Sequence, residues 1–389
     1  MRSISKRSIG WIFTIAASVC VSIVLLIVLS IAWIDKTERK EFERTLSEAQ
    51  SPAAENIETE LQQDKATTMN EQKPLPFNIS VVYSPEYLVN LGGAERMHPF
   101  DIKKYEKIHN QLIDDGLLTA KATLKPDEVP VQDLLLIHSA QYLKELTDRK
   151  KVATYLEAPI LVALPVSLDK GVLKPFRYAT AGTILAARQA LKHGIGVNIG
   201  GGYHHAKIDK GEGFCIYADV PIAIRKLQQE KLIRRAVIID VDVHQGNGTI
   251  VCLEDDDSTF TFSMHQGDIY PIVKEIGDRD VELVAGMDDE KYIELLSREL
   301  PDVLDQAKAD ICFIVAGCDT LDGDPLAQLK MTNEGIVKRD SLIVKSCVKR
   351  KIPVVYTTSG GYSPAAWRAQ YLSIKKLIET YSLAQGFKE

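Results

Sequence analysis

Three side chains able to bind a metal stand at alternate positions in one short run, Ala236–Gly248, which reads AVIIDVDVHQGNG. They are Asp240, Asp242 and His244. The apolar lead-in Ala236–Ile239 predicts a buried parallel strand, and alternation along it sends all three to one side at its carboxyl end. Two carboxylates and an imidazole converging in a buried place are costly without a cation among them. Asp242 and His244, with Asp319 as a third ligand, would leave one coordination position open, the catalytic rather than the structural arrangement for zinc. An ion held that way lowers the pKa of a water and polarises a carbonyl.

Two more groups complete a reaction. Gly200-Gly201-Gly202-Tyr203 leads into adjacent imidazoles, His204 and His205. The glycines let the backbone approach a ligand closely, and the pair can take and give a proton near neutral pH. Tyr362 follows Gly360-Gly361, and its phenol could donate a hydrogen bond to a developing oxyanion. Metal, proton-transfer pair and oxyanion donor together specify hydrolysis of an amide or ester. Asp322 and Asp324 are read as loop residues.

The elements that must position these groups are legible from Phe77 onward. Strand-like runs at Ile195–Ile199, Ala236–Val241, Thr259–Met264, Ile311–Ala316 and Pro353–Thr357 alternate with helical patterns. Those patterns are Ala179–Lys192, Ile222–Lys231, Lys291–Lys308, Glu334–Val348 and Ala365–Tyr381. The alternation predicts an α/β fold, a mostly parallel sheet with helices on both faces. Ligands of such sheets bind outside the carboxyl ends of the strands. Each polar cluster, including His265 after Thr259–Met264, follows a strand as that rule requires.

The chain has 389 residues, 45% hydrophobic and 26% charged, with material for a sizeable core. A net charge of -6 and no dense Lys/Arg block give no footprint for direct nucleic-acid binding. The six cysteines are scattered without a CxxC and are read as small buried hydrophobes. After a tail over residues 1–10, Trp11–Trp33 contains no charged residue and would span roughly 34 Å as a helix, which predicts a single-pass transmembrane segment. Arg2, Lys6 and Arg7 before it nearly balance Lys36, Arg39, Lys40 and Arg44 after it, so the side faced by the body stays open. Residues 34–76, rich in Glu, Gln and Lys, read as a charged spacer, partly helical near Phe42, Leu46 and Ala49 and partly disordered, before a body over 77–385.

GGGYHHAK, GEGFCIYADV, IIDVDVHQGNGT, AGCDTLDGDPL and TSGGYS resemble, in order, the motifs of the zinc-dependent histone deacetylase family. VVYSPEY, HPFDIKKY (His98–Tyr105) and IVKRD (Ile336–Asp340) are most similar to its class IV. The resemblance implies an arginase/deacetylase-like fold and removal of acetyl or long-chain fatty-acyl groups from lysine side chains of proteins or peptides. It implies zinc, with iron(II) as an alternative, on Asp242, His244 and Asp319. His204 and His205 match the tandem histidines, with His205 the general base and acid and His204 an electrostatic helper, and Tyr362 matches the carbonyl-polarising tyrosine. Asp240 matches the carboxylate behind His204 and, with Ser263, a monovalent-cation site usually filled by potassium; Gly213 and Phe214 match the wall of the acyl-lysine tunnel. One departure stands out. After His244 the best-known class I pattern has a histidine and then an aspartate, where this chain has Gln245 and Asn247. An asparagine cannot supply the negative charge that raises the pKa of His205, so the paired relay becomes asymmetric.

Two other readings use the same fold. One is an amidohydrolase of small acylated amines such as acetylpolyamines, and the other a non-catalytic binding scaffold, against which the complete ligand set and Tyr362 argue. The oligomeric state is left open.

Overall fold

The computed structural model describes the backbone of residues 6–50, 75 and 77–384, with side chains described from Val24 onward. Eight parallel strands form one sheet among these residues. They are β1 (Asn78–Val82), β2 (Thr123–Leu124), β3 (Gly194–Asn198), β4 (Ala236–Asp240), β5 (Thr259–Gln266), β6 (Arg279–Leu283), β7 (Ile311–Val315) and β8 (Val354–Thr357). Their order across the sheet is β2-β1-β3-β8-β7-β4-β5-β6. The five expected strands are present with ends shifted by a residue or two. The other three were not expected: β1 has an apolar run interrupted by Ser80, β2 is two residues long, and β6 is half-exposed, so none shows a continuous apolar run.

The long helices are α1 (Lys6–Ala49), α2 (Lys104–Asp114), α3 (Lys174–His193), α4 (Asp219–Gln229), α5 (Asp289–Ala307), α6 (Asn333–Lys349) and α7 (Ala366–Tyr381). Side-chain alternation along the strands divides the core in two. Val237 and Ile239 of β4 and Cys312 and Ile314 of β7 join one apolar cluster with α2, α5, α6 and α7. Ala236, Ile238, Ile311 and Phe313, one register step away, join the other with α3 and α4. Both faces are therefore covered, as an all-parallel sheet requires.

The N-terminal region differs from expectation. No helix among the described residues is long and apolar enough to cross a membrane. Most of the expected span, residues 11–23, lies outside the residues whose side chains are described. Nor is the segment after it a free spacer as far as Ala49. Helix α1 runs on, and its Leu46 is buried in the α3/α4 cluster with Phe42 and Ala49 packed alongside. Asp35 receives Arg149 (Nη2–Oδ1 2.6 Å) and Glu38 caps Asp169 N at 3.1 Å. The expected disordered stretch of the spacer falls on residues 51–74, outside the described ones.

Candidate active site

Four neighbouring strands, β3, β8, β7 and β4, deliver the reactive residues from their carboxyl ends. Asp242 and His244 follow β4, Asp319 follows β7, His204 and His205 follow β3, and Tyr362 follows β8. Asp242, His244 and Asp319 are buried, each with a ligand atom within 4.8 Å of the others. His244 Nδ1 lies 3.2 Å from Asp242 Oδ1 and 3.2 Å from Asp319 Oδ2. The backbone aims the carboxylates: Gly360 N and the Ser359 hydroxyl donate to Asp242 Oδ2, and Val243 N to Asp319 Oδ1, each at 2.9 Å. A Cβ on Gly360 or Gly317 would overlap these carboxylates, so the close approach requires glycine. Burial and then the Asp242 charge raise the Asp319 carboxyl to about 7. Burial opposes ionisation of Asp242 as well, but His204 and His244 hold its carboxyl well below the usual range. A buried set of two acids and an imidazole, short of positive charge, fits a divalent cation.

Asp240 does not join that set. Its carboxylate turns to His204, with Oδ2 2.7 Å from Nδ1. Burial works against the charged imidazole, yet Asp240 and Asp242 overcome it and raise His204 to about 9. The rings of His204 and His205 lie 4.1 Å apart, in opposite electrostatic states. Burial, then the charges of His204 and His244, push His205 well below the ordinary imidazole range.

The partner of His205 Nδ1 is Asn247 Oδ1, at 2.7 Å. Behind it, Asn247 Nδ2 donates to Glu212 Oε1 at 2.7 Å. An ionised carboxylate only accepts, so Glu212 fixes the amide orientation, and the amide oxygen fixes the proton on Nδ1. That leaves the lone pair of His205 on Nε2. Lys210 in turn donates to Glu212 Oε2 at 2.6 Å, which damps the charge it projects. Glu212 escaped the sequence reading because it acts through an amide; its place beside Gly213-Phe214 was the available signal.

Tyr362 is partly buried, its ring 6.2 Å from that of His244 and between Phe100 and Phe214 at 6.0 and 5.8 Å. Burial, then Asp242 and Asp319, raise its phenol well above 10, so it remains a donor. Asp324, expected to serve only its loop, accepts Tyr362 N at 2.8 Å and orients that residue. Gly213 (φ 54°) and Phe214 (φ 66°) turn in the left-handed region, where a Cβ on Gly213 would overlap the His205 ring. Phe214 meets His98 edge-on at 4.6 Å. Ser263 sits opposite Asp240 in the β4–β5 register, and its hydroxyl lies 2.9 Å from His265 Nδ1. His265, expected to follow the strand, lies within β5 and is buried.

The pattern of the histone deacetylase domain matches residues 98–377. The chain belongs to the histone deacetylase family. Histone deacetylase 2 of Arabidopsis thaliana is 37% identical over 303 residues, covering 77% of this chain and 78% of its own. An uncharacterized protein of Picosynechococcus is 38% identical over 283 residues, 73% of this chain and 92% of that one. Histone deacetylase 8 of Xenopus tropicalis is 25% identical over 299 residues, with coverages of 72% and 78%. Among solved structures, the crystal structure of the HDA15 HD domain has the same fold, with a TM-score of 0.63 at 20% identity, covering 78% of this chain and 90% of that one. The parallel sheet, the family and its hydrolase class agree with the sequence-based expectation.

In this histone deacetylase-family chain, further buried residues set the loops in place. Asp219 accepts Gly202 N at 2.9 Å and Tyr203 N at 2.7 Å, shaping the turn into His204. Arg339, wholly buried, donates to Val241 O at 2.9 Å and Gly317 O at 2.8 Å, so one guanidinium holds the loops carrying Asp242 and Asp319. Lys104 donates to Ser359 O at 2.7 Å and Gly360 O at 2.9 Å, just before Tyr362. Arg339 and Lys104 lie in IVKRD and HPFDIKKY, motifs that carried a resemblance but no assigned chemistry. The described cysteines, Cys215, Cys252, Cys312, Cys318 and Cys347, are free and buried.

Proposed function

We propose that the chain is a zinc-dependent lysine deacylase, similar to class IV deacetylases, held at a membrane by its N-terminal apolar run. The observation that carries the reading is the buried Asp242–His244–Asp319 set beside a histidine whose free lone pair is fixed on Nε2. When bound there, zinc supplies the Lewis acidity that activates water and polarises an acyl carbonyl. His205 Nε2 takes the proton of the attacking water and returns one to the leaving lysine amine. His204, charged against Asp240, stabilises the negative charge that develops beside it. Tyr362 donates its phenolic proton in a hydrogen bond to the carbonyl oxygen. Phe214 and His98 wall the channel that admits the acyl-lysine stem. A potassium ion between Asp240 and Ser263 belongs to the same proposal as a structural element, and no step runs through it.

The pocket favours an acyl chain over a charged polyamine. Its lining is mostly apolar and aromatic beside the tandem histidines and includes Phe176, Tyr87, Val89 and Leu91. Glu95, the one carboxylate in its lining among the described residues, is turned onto Leu91 N and Gly93 N. Support for the membrane tether comes from the uncharged Trp11–Trp33 run and from Val24–Leu29, whose apolar side chains are 37% to 64% exposed on α1. A soluble form lacking residues 1–32 would remove the tether from this reading.

The test is turnover of acetyl-lysine and myristoyl-lysine peptides by the full chain loaded with zinc or iron(II), with an N-acetylpolyamine for comparison. Tyr362→Phe should lose most turnover, by roughly a hundredfold or more, while keeping its fold. No deacylation at any chain length with either metal would overturn the reading.

A further inference from the structure

We propose that the mouth of the pocket rests on the bilayer surface, so that the chain takes acyl-lysine substrates presented at the membrane; this rests on the tethered-deacylase reading. Two independent observations meet here. The first is where apolar side chains stay uncovered. Beyond α1, the most exposed large apolar residues among the described ones are Met97, Ile272, Val273 and Ile276, 74% to 92% exposed. All four belong to segments that border the pocket. Met97 precedes His98 in the lining, and the 269–276 segment carries Tyr270, whose ring meets His205 at 5.0 Å. Ordinary surfaces scatter such residues singly, whereas several exposed apolar residues on segments beside one pocket, here called the collar, mark a contact.

The second observation is where the anchor meets the body. Helix α1 runs unbroken from Lys6 to Ala49, and among the described side chains its first ion pair with the body is made by Asp35, two residues after Trp33 and about 3 Å further along the axis. The residue gripping Asp35 is Arg149, buried, with Nε 3.1 Å from Oδ2. The same guanidinium donates to Leu161 O at 3.3 Å, Leu164 O at 3.2 Å and Val166 O at 2.8 Å. It therefore clamps the loop that begins at the pocket-lining Leu156 and Ala158 and turns Ile160 and Val162 outward. The loop at the pocket wall is thus held level with the end of the apolar run. A bilayer around that run is the occupant that reaches the collar without any further partner, and apolar side chains at an interface gain by burial in it.

The experiment uses the full chain in phosphatidylcholine/phosphatidylglycerol vesicles, with a polarity-sensitive fluorophore on Ile160→Cys, Ile272→Cys or Leu232→Cys. Leu232 is exposed just before β4, at the opposite end of the sheet from the mouth. Doxyl-labelled lipid should quench the probes at 160 and 272 at least twofold and leave the probe at 232 unchanged. In parallel, Ile272→Asp with Val273→Asp should lower turnover of a vesicle-anchored acyl-lysine peptide at least fivefold and leave the soluble peptide unchanged. Equal quenching at all three sites, or none at 160 and 272 in a vesicle-inserted chain, overturns the collar while the tether stands. A blue shift without lipid quenching, accompanied by self-association on sizing, would make the collar a protein contact and overturn the proposal. A chain that does not insert overturns tether and collar together. A wild-type chain that inserts but turns over neither peptide sinks the deacylase reading, and the probes still report on the collar.

Discussion

Two adjacent histidines, separated by one peptide bond, are held in opposite states by what stands behind them. His204 faces the Asp240 carboxylate and is raised to about 9. His205 faces an amide, Asn247, and is pushed well below its ordinary range. Burial acts on both in the same direction, so the partner decides the outcome. A charged acceptor favours the cation; a neutral acceptor braced by Glu212 leaves a neutral imidazole with its lone pair directed away from the brace. The carboxylates Asp240 and Asp242 raise His204, whereas burial and the charges of His204 and His244 lower His205, whose amide partner supplies no charge to oppose them, so substitutions on either side should be unequal.

The largest effect should follow removal of the proposed base. His205→Ala should lower turnover by about a thousandfold, within the range of general acid–base contributions, with an unchanged circular dichroism spectrum. A loss below tenfold would move the base to His204 and invert the comparison. Next in size is the charged side: Asp240→Asn should cost roughly 10- to 100-fold, as the hydrogen-bond partners behind reactive groups do. Equal losses for Asp240→Asn and Asn247→Ala would show that the two partners are equivalent.

The convergence of this candidate site was legible in the chain because many of its residues are local. Asp242 and His244 share one strand end, His204 and His205 are neighbours, and glycines mark each turn. What escaped is non-local. Glu212 acts through Asn247, Arg339 through two carbonyls, and Lys104 through the carbonyls of Ser359 and Gly360. Such roles depend on which loops meet, and a sequence pattern carries no distance. The same limit applies to the fold. Continuous apolar runs announced β3, β4, β5, β7 and β8, whereas β1, broken by Ser80, the two-residue β2 and the half-exposed β6 are recognisable only by the neighbours that pair with them. Along α1, Asp35 and Glu38 read as solvated charges in the sequence, yet the Arg149 guanidinium and the Asp169 backbone N–H donate to them.

A third buried imidazole sharpens the rule that the partner decides. His138 is hydrogen-bonded to backbone groups rather than to a carboxylate; its Nε2 accepts Ala218 N at 3.0 Å, and burial lowers it to about 4. Its folded pKa lies below the unfolded value of about 6.5, so the unfolded chain binds more protons between these values. The stability it secures is present above about pH 6.5 and lost as pH falls towards 4. By pH 5 the loss should be about 2 kcal/mol, read as a lower midpoint in urea. His138→Gln should flatten that window; an unchanged acid slope would assign it to other groups.

The smallest and most discriminating change is Asn247→Asp, which makes the two sides of the pair alike. The new carboxylate would face His205 Nδ1 and raise its pKa, while also facing Glu212, whose charge Lys210 and Lys207 already share at 2.6 and 3.6 Å. Repulsion between two acids therefore partly cancels the gain, and turnover at neutral pH should change by only about a few fold. The pH profile should move more than the rate. A better-charged His205 loses its base form at higher pH, so the acidic limb of kcat/KM should shift upward by roughly one unit. Glu212→Gln in the same background removes the repulsion and should extend that shift. If neither variant moves the acidic limb, His205 is not the group it reports.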